Sequence, residues 1–164
     1  SKNFSTDYNF EPAISFVGED EDIFNIFSAL DKINHQISLD YLRMCVFDVT
    51  LNNIDRHNEN FGVLRDRKTG EIVSLAPNYD NNLALISRNK NLNLEKTEGF
   101  LNMFLKRIRS SKILKNALKE IEFPIINEQI LEEVNESIEL NVDIDFSMIK
   151  HFVLNRYNKV FILQ

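Results

Sequence analysis

Between Ser38 and Val49 the apolar residues Leu39, Leu42, Met44, Cys45, Val46, Phe47 and Val49 cover most of the circumference of a helix. A helix that is apolar nearly all round must be enclosed by other elements, so any fold for this chain wraps around it. Ser38 is suited to cap its N-terminus. The helix runs out at Asn52-Asn53, and the residues that follow directly are Asn53-Ile-Asp55-Arg-His57-Asn-Glu-Asn60-Phe61-Gly62. A carboxylate, an imidazole and a carboxamide thus gather on a rigid base, where helical spacing gives way to strand spacing.

The flanking patterns sketch the rest. Phe61-Gly-Val-Leu64 and Ile72-Val-Ser-Leu75 bracket Asp66-Arg-Lys-Thr-Gly70, which reads as a β-hairpin with Gly70 in a left-handed turn position, and its second strand leads into Pro77-Asn-Tyr79-Asp80. Upstream, Ile23, Ile26, Phe27, Leu30, Ile33 and Ile37 recur at helical steps behind Asp20, Glu21 and Asp22, which suit a helix N-terminus. Downstream, helical runs begin after Thr97 and Lys112, at Asn127, which can cap, and at Asp145. Residues 87–96, rich in Asn, read as a loop, and the acidic run from Glu132 to Glu139 as a solvated helix face. The expectation is a mainly α (α+β) fold of about six helices with one small β-hairpin. Residues 1–18 read as an extended segment or linker, and residues 19–164 as the domain.

Composition narrows the function classes. A chain of 164 residues with 43% hydrophobic residues, 13 Phe, 4 Gly and 3 Pro packs into one globular, helix-rich unit. A net charge of −6 disfavours a partner held through nucleic-acid phosphates, which demands clustered Lys and Arg. No apolar stretch approaches the length of about 20 residues that spans a bilayer, and the first residues lack a signal-peptide pattern. The single cysteine, Cys45, sits in an apolar run as a core thiol and excludes an internal disulfide. A reducing cytoplasm is the compartment these features suit. Because residue 1 is Ser rather than Met, the sequence reads as a processed or excised piece of a longer chain.

Transfer of a phosphoryl group from ATP to a hydroxyl needs a group that orients the hydroxyl and accepts its proton, and oxygen ligands that hold Mg²⁺ near the phosphates. Asp55 suits the first role. Asn60 offers a neutral carbonyl oxygen, and Asp80 brings a carboxylate from the far side of the hairpin. The Asp-x4-Asn spacing gains its meaning from this context: a helix before it, a hairpin after it, and a second Asp just past the hairpin. Other readings use the same residues. Asp55, Arg56 and His57 could serve only to hold the loop; His57, Asn60 and the two aspartates could activate water in a nuclease-like site, which the acidic charge disfavours. His57 itself suits a ring that donates to a backbone carbonyl better than a general base, and Tyr79 suits packing.

Asn53-x-Asp55-Arg-His57-x-x-Asn60, followed by Tyr79-Asp80, resembles the catalytic and metal-binding segments of HipA-like serine/threonine kinases. It is similar, more distantly, to the catalytic loop of phosphatidylinositol 3- and 4-kinases. The resemblance implies Asp55 as the catalytic base, His57 as a loop-stabilising member of the catalytic group, and Asn60 and Asp80 as the residues that bind the Mg²⁺–ATP cofactor through the metal. It implies a helical C-terminal lobe only. No Gly-rich phosphate-covering loop and no strand lysine precede the motif, so an N-terminal lobe or a second chain would complete the ATP site. A protein substrate and an antitoxin partner are further implications of the resemblance. The reading from another class is a pseudokinase or protein-interaction module without phosphoryl transfer.

Overall fold

Asn34 ends one helix and begins the next. Its backbone is extended (φ −162°, ψ 125°), its N–H closes α2 (Ile23–Ile33) on the Leu30 carbonyl, and its Oδ1 accepts from the Gln36 N–H at 2.8 Å to cap α3 (His35–Leu51). The break therefore precedes Ser38, the expected cap. Apolar spacing that runs on from Ile33 to Ile37 hides it. Ser38 is buried inside α3, its hydroxyl 2.7 Å from the His35 carbonyl oxygen and 3.0 Å from Asp31 Oδ1. At the other end of α2 Asp22 behaves as its position suggests. Asp22 Oδ1 accepts from the Phe24 and Asn25 amides at 3.0 and 3.2 Å, satisfying two of the helix's free N–H groups.

The computed structural model describes residues 6–20, 22–81, 84, 94–137 and 146–163. α3 lies at the centre, in contact with α2, α4 (Leu94–Ser110), α5 (Lys112–Glu120), α7 (Phe146–Phe161) and one strand. Ile37, Leu42 and Val49 of α3 share the core with Phe27 and Leu30, Leu101 and Phe104, and Leu114 and Leu118, all at most 1% exposed. Cys45 is among these buried residues, and burial pushes its thiol up to about 12. It is a core thiol, out of reach of ordinary thiolate chemistry.

Three antiparallel strands cover one side in the order β1 (Tyr8–Pro12), β2 (Gly62–Asp66), β3 (Ile72–Leu75). The β2–β3 hairpin is the expected one, with Gly70 at φ 74°. β1 adds to its outer side, from Tyr8 opposite Asp66 to Pro12 opposite Gly62. A short helix, α1 (Ile14–Val17), links β1 to the loop before α2. Gly62 is needed where it stands. A Cβ there would lie 2.1 Å from the Glu11 carbonyl oxygen and 2.8 Å from the Phe10 ring, so only glycine lets β1 approach.

The fold is mainly α, with seven helices among the described residues and this small sheet. Asn127 caps α6 (Glu128–Ser137) through a 2.9 Å bond from the Ile130 N–H. α4 starts at Leu94, so the last residues of the expected Asn-rich loop are helical, while residues 87–93, Glu139 and Asp145 lie outside the described residues. Among the described residues no helix is long and apolar enough to cross a membrane.

The end of α3 receives special attention from the rest of the chain. Asn52 takes the left-handed position (φ 56°, ψ 40°) that stops the helix, and both its N–H and that of Asn53 bond the Asp48 carbonyl. From α7, Arg156 donates to the Val49 carbonyl at 2.6 Å and to Asn52 Oδ1 at 3.3 Å. A cation at a helix C-terminus opposes the negative end of the helix dipole. Burial draws the Arg156 guanidinium down to about 10, still far above neutrality, so the charge is kept.

Candidate active site

A buried carboxylate near the end of the apolar helix explains the geometry of the loop that follows. Asp48 is 1% exposed, and a buried charge needs a partner and further hydrogen bonds. Arg56 supplies both: its Nε donates to Asp48 Oδ2 at 2.8 Å and its Nη2 to Oδ1 at 2.9 Å. Asn53, fully buried, adds a bond from Nδ2 to the same Oδ1 at 2.8 Å. The other N–H groups of Arg56 reach outward. Nη1 donates to the Asn60 carbonyl at 3.1 Å and the Tyr79 carbonyl at 2.7 Å, and Nη2 to Asn81 Oδ1 at 2.8 Å. All five donors of the guanidinium are engaged.

The loop also closes on itself. The Asn60 carboxamide donates from Nδ2 to the Asp55 carbonyl at 2.6 Å and accepts at Oδ1 from the His57 N–H at 3.0 Å. With both ends on backbone groups of opposite character, its orientation is fixed. The Asp55 side chain stands exposed on the turn that this clamp shapes. Among the described residues His57 does not make the donation to a backbone carbonyl that its sequence suggested. Its Nδ1 accepts from the Glu59 N–H two residues on, at 3.3 Å. Asn58 fastens the far side of the loop, donating to the Gly18 and Asp20 carbonyls at 2.8 Å each. Beside it runs an open groove of about 500 Å³ lined by Ile14, Gly18, Glu19, His57, Asn58 and Glu59.

Asp80 arrives from β3 in a left-handed conformation, φ 56°, and is exposed. Its neighbour Tyr79 is held three ways: the carbonyl by Arg56, the hydroxyl by a 2.9 Å bond to the Glu59 carbonyl, and the ring edge-on against Phe10 at 5.6 Å. Burial raises the Tyr79 phenol above its ordinary value, so it packs as a neutral side chain. The two stretches that carry Asp55, Asn60 and Asp80 are therefore stitched together through Arg56 and Tyr79.

The oxygen donors carried by the two stretches are hard ones: the Asp80 carboxylate and the Asn60 carboxamide, whose Oδ1 keeps a second lone pair beside the one given to His57. Asn53 Oδ1 is buried without a hydrogen-bond partner among the described residues, an acceptor of the same kind beside Asn81. Among the described residues no three His, Cys, Asp or Glu side chains group closely enough to hold an ion. A carboxylate and a carboxamide are donors of the chemistry that a hard divalent cation takes, completed by ligand oxygens and water.

Sequence reasoning missed Asp48 and Asn81, quoted Asn53 in the motif without a role, and left Arg56 as one option among local contacts. The available signal was Asp48 itself, a carboxylate flanked by Val46, Phe47 and Val49 on a helix with no room for an unpaired charge.

A family model described as the HipA-like C-terminal domain matches residues 4–142. Among solved structures, the crystal structure of a Helicobacter pylori proinflammatory kinase, CtkA, superposes with a TM-score of 0.64. Sequence identity is 20%, and the alignment covers 97% of this chain and 70% of that one. At that identity the likeness speaks for the fold. No curated protein matches the chain.

Proposed function

Because the chain belongs to the family of HipA-like C-terminal domains, we propose that it is the C-terminal lobe of an ATP-dependent protein serine/threonine kinase. The observation that carries this reading is the Arg56 guanidinium, which holds the Asn60 carbonyl and the Tyr79 carbonyl on one nitrogen and so brings the loop and the Asp80 segment to one place. A kinase of like fold supports it.

Asp55 accepts the proton of a serine or threonine hydroxyl on a protein substrate as that oxygen bonds to the γ-phosphorus. The bond from the γ-phosphorus to the β-phosphate oxygen breaks, and ADP leaves with the electron pair. Asn60 and Asp80 would hold Mg²⁺, which would supply positive charge to offset that of the phosphates. His57 supports the loop through its contact with the Glu59 amide. The rest of the ATP site comes from an N-terminal lobe or second chain, and the compartment is the cytoplasm. An antitoxin partner belongs to the same family-based reading.

A domain that only binds a partner is the second reading, favoured by the Asn60 carboxamide, which already serves two backbone groups. Transfer from radiolabelled ATP by the full-length protein separates the two. Asp55→Asn is expected to lower the rate by about 10²–10⁴-fold with the fold intact, and Asp80→Ala to abolish it. Unchanged transfer in both variants contradicts the kinase reading.

A further inference from the structure

We propose that Arg56 is a positioning residue for the cation, fixing the Asp80 carboxylate relative to Asn60 by clamping the residues on either side of Asp80. This rests on the phosphoryl-transfer reading above.

The clamp begins on a rigid element. Asp48 belongs to the central helix and is 1% exposed, so the two bonds it accepts from Arg56 set the plane of the guanidinium against the core. From that plane the remaining donors go to Asn60 on one segment and to the Tyr79 carbonyl and Asn81 Oδ1 on the other. Tyr79 and Asn81 are the immediate neighbours of Asp80, whose φ of 56° is a conformation that residues other than glycine adopt only when their surroundings hold them there. Hydrogen bonds on both flanks supply that hold. The direction of the Asp80 carboxylate is thereby tied to the loop that carries Asn60.

The arrangement demands an arginine. Five donors in a flat fork reach a carboxylate and three further oxygens at once, whereas lysine carries three donors on a single nitrogen and cannot span the same set. Asn81 contributes one of the two flanking contacts, so its removal weakens the clamp while both hydrogen bonds between Arg56 and Asp48 remain.

The test is Mn²⁺ binding, read from the electron paramagnetic resonance of free Mn²⁺ with a non-hydrolysable ATP analogue present, on the full-length protein at a temperature where circular dichroism shows each variant folded. Arg56→Lys is expected to weaken Mn²⁺ binding by roughly 10–100-fold, the range seen when residues supporting metal ligands are replaced, and Asn81→Ala by a smaller factor. Asp80→Ala removes binding. A residue that merely stabilised the fold would leave the affinity of the folded protein unmoved. If Asp80→Ala abolishes binding while Arg56→Lys and Asn81→Ala bind as the parent does, the positioning role is wrong and the site reading stands. If the parent takes up no Mn²⁺, or Asp80→Ala binds equally well, the site reading itself falls and the positioning role with it. Should Arg56→Lys fail to fold, Asn81→Ala decides alone.

Discussion

Asp48 and Arg56 meet through two parallel hydrogen bonds of 2.8 and 2.9 Å, with the carboxylate side chain 2% exposed and the guanidinium 8%. The pair joins the final turns of the central helix to the loop that carries Asp55 and Asn60. Two ions cannot be buried without cost, and their mutual attraction repays it only because Asn53, Asn60, Tyr79 and Asn81 satisfy the remaining donors and acceptors. Removing one partner leaves the other charge unpaired.

Asp48→Ala is therefore expected to cost about 3–5 kcal/mol of stability, the range for breaking a buried pair from one side. Urea unfolding monitored by circular dichroism measures it. A loss below about 1 kcal/mol, the level of an exposed ion pair, means that solvent reaches Arg56 freely and that the network is not closed.

Gly62 is expected to resist even the smallest side chain. A Cβ at that position meets backbone, the Glu11 carbonyl oxygen at 2.1 Å, which cannot swing aside as a side chain can. Gly62→Ala should destabilise by about 1–3 kcal/mol or more through overpacking, and it should loosen β1. Hydrogen exchange at the β1–β2 amides reports this directly. Gly99, where a Cβ meets nothing within 4 Å, is the control.

A pH dependence follows from His35. Its Nδ1 lies 2.6 Å from Asp31 Oδ1 and its Nε2 3.0 Å from Glu120 Oε2, so the ring joins the α2–α3 corner to α5. The hydrogen bond to Glu120, then that to Asp31, raises its pKa above 6.5 in the folded state. The imidazolium thus adds stability in full below the unfolded value of 6.5, and this contribution fades as pH climbs through the raised folded value. The ring is half exposed, so solvent screening keeps the effect small. Thermal melts of the parent and His35→Gln should differ more at about pH 6 than at about pH 9, and equal differences at both contradict the assignment.

The parts of this molecule legible in the sequence are those with strong periodicity or a required residue type. The six longer helices were visible as apolar spacing, and the hairpin as two short runs around Gly70. The boundary at Asn34 was not, because Ile33 and Ile37 keep the helical step across a break that only the Asn34 backbone reveals. β1 was hidden for a related reason. Its residues are half-buried or exposed and alternate too weakly to mark a strand; what pairs them is β2, fifty or more residues further along.

The loop stood out in the sequence through Asp55, His57, Asn60 and Asp80, but its scaffold did not. A guanidinium that bonds to α3, the loop and the segment after the hairpin is a long-range property, and neither the spacing of Arg56 nor its neighbours disclosed it. Asp48 was the clue in plain view. Of the two partners of His35, Asp31 lies four residues before it and was locally legible, while Glu120 lies 85 residues away and was not.

The central claim is that the Asp55–Asn60 loop and the Asp80 segment form one metal–nucleotide site. Calorimetric titration of the full-length protein with Mg²⁺ and a non-hydrolysable ATP analogue, set beside its Asp80→Ala variant, tests it most directly. The account predicts saturable heat in the parent that disappears in Asp80→Ala while the variant remains folded; heat that persists undiminished in that variant contradicts it.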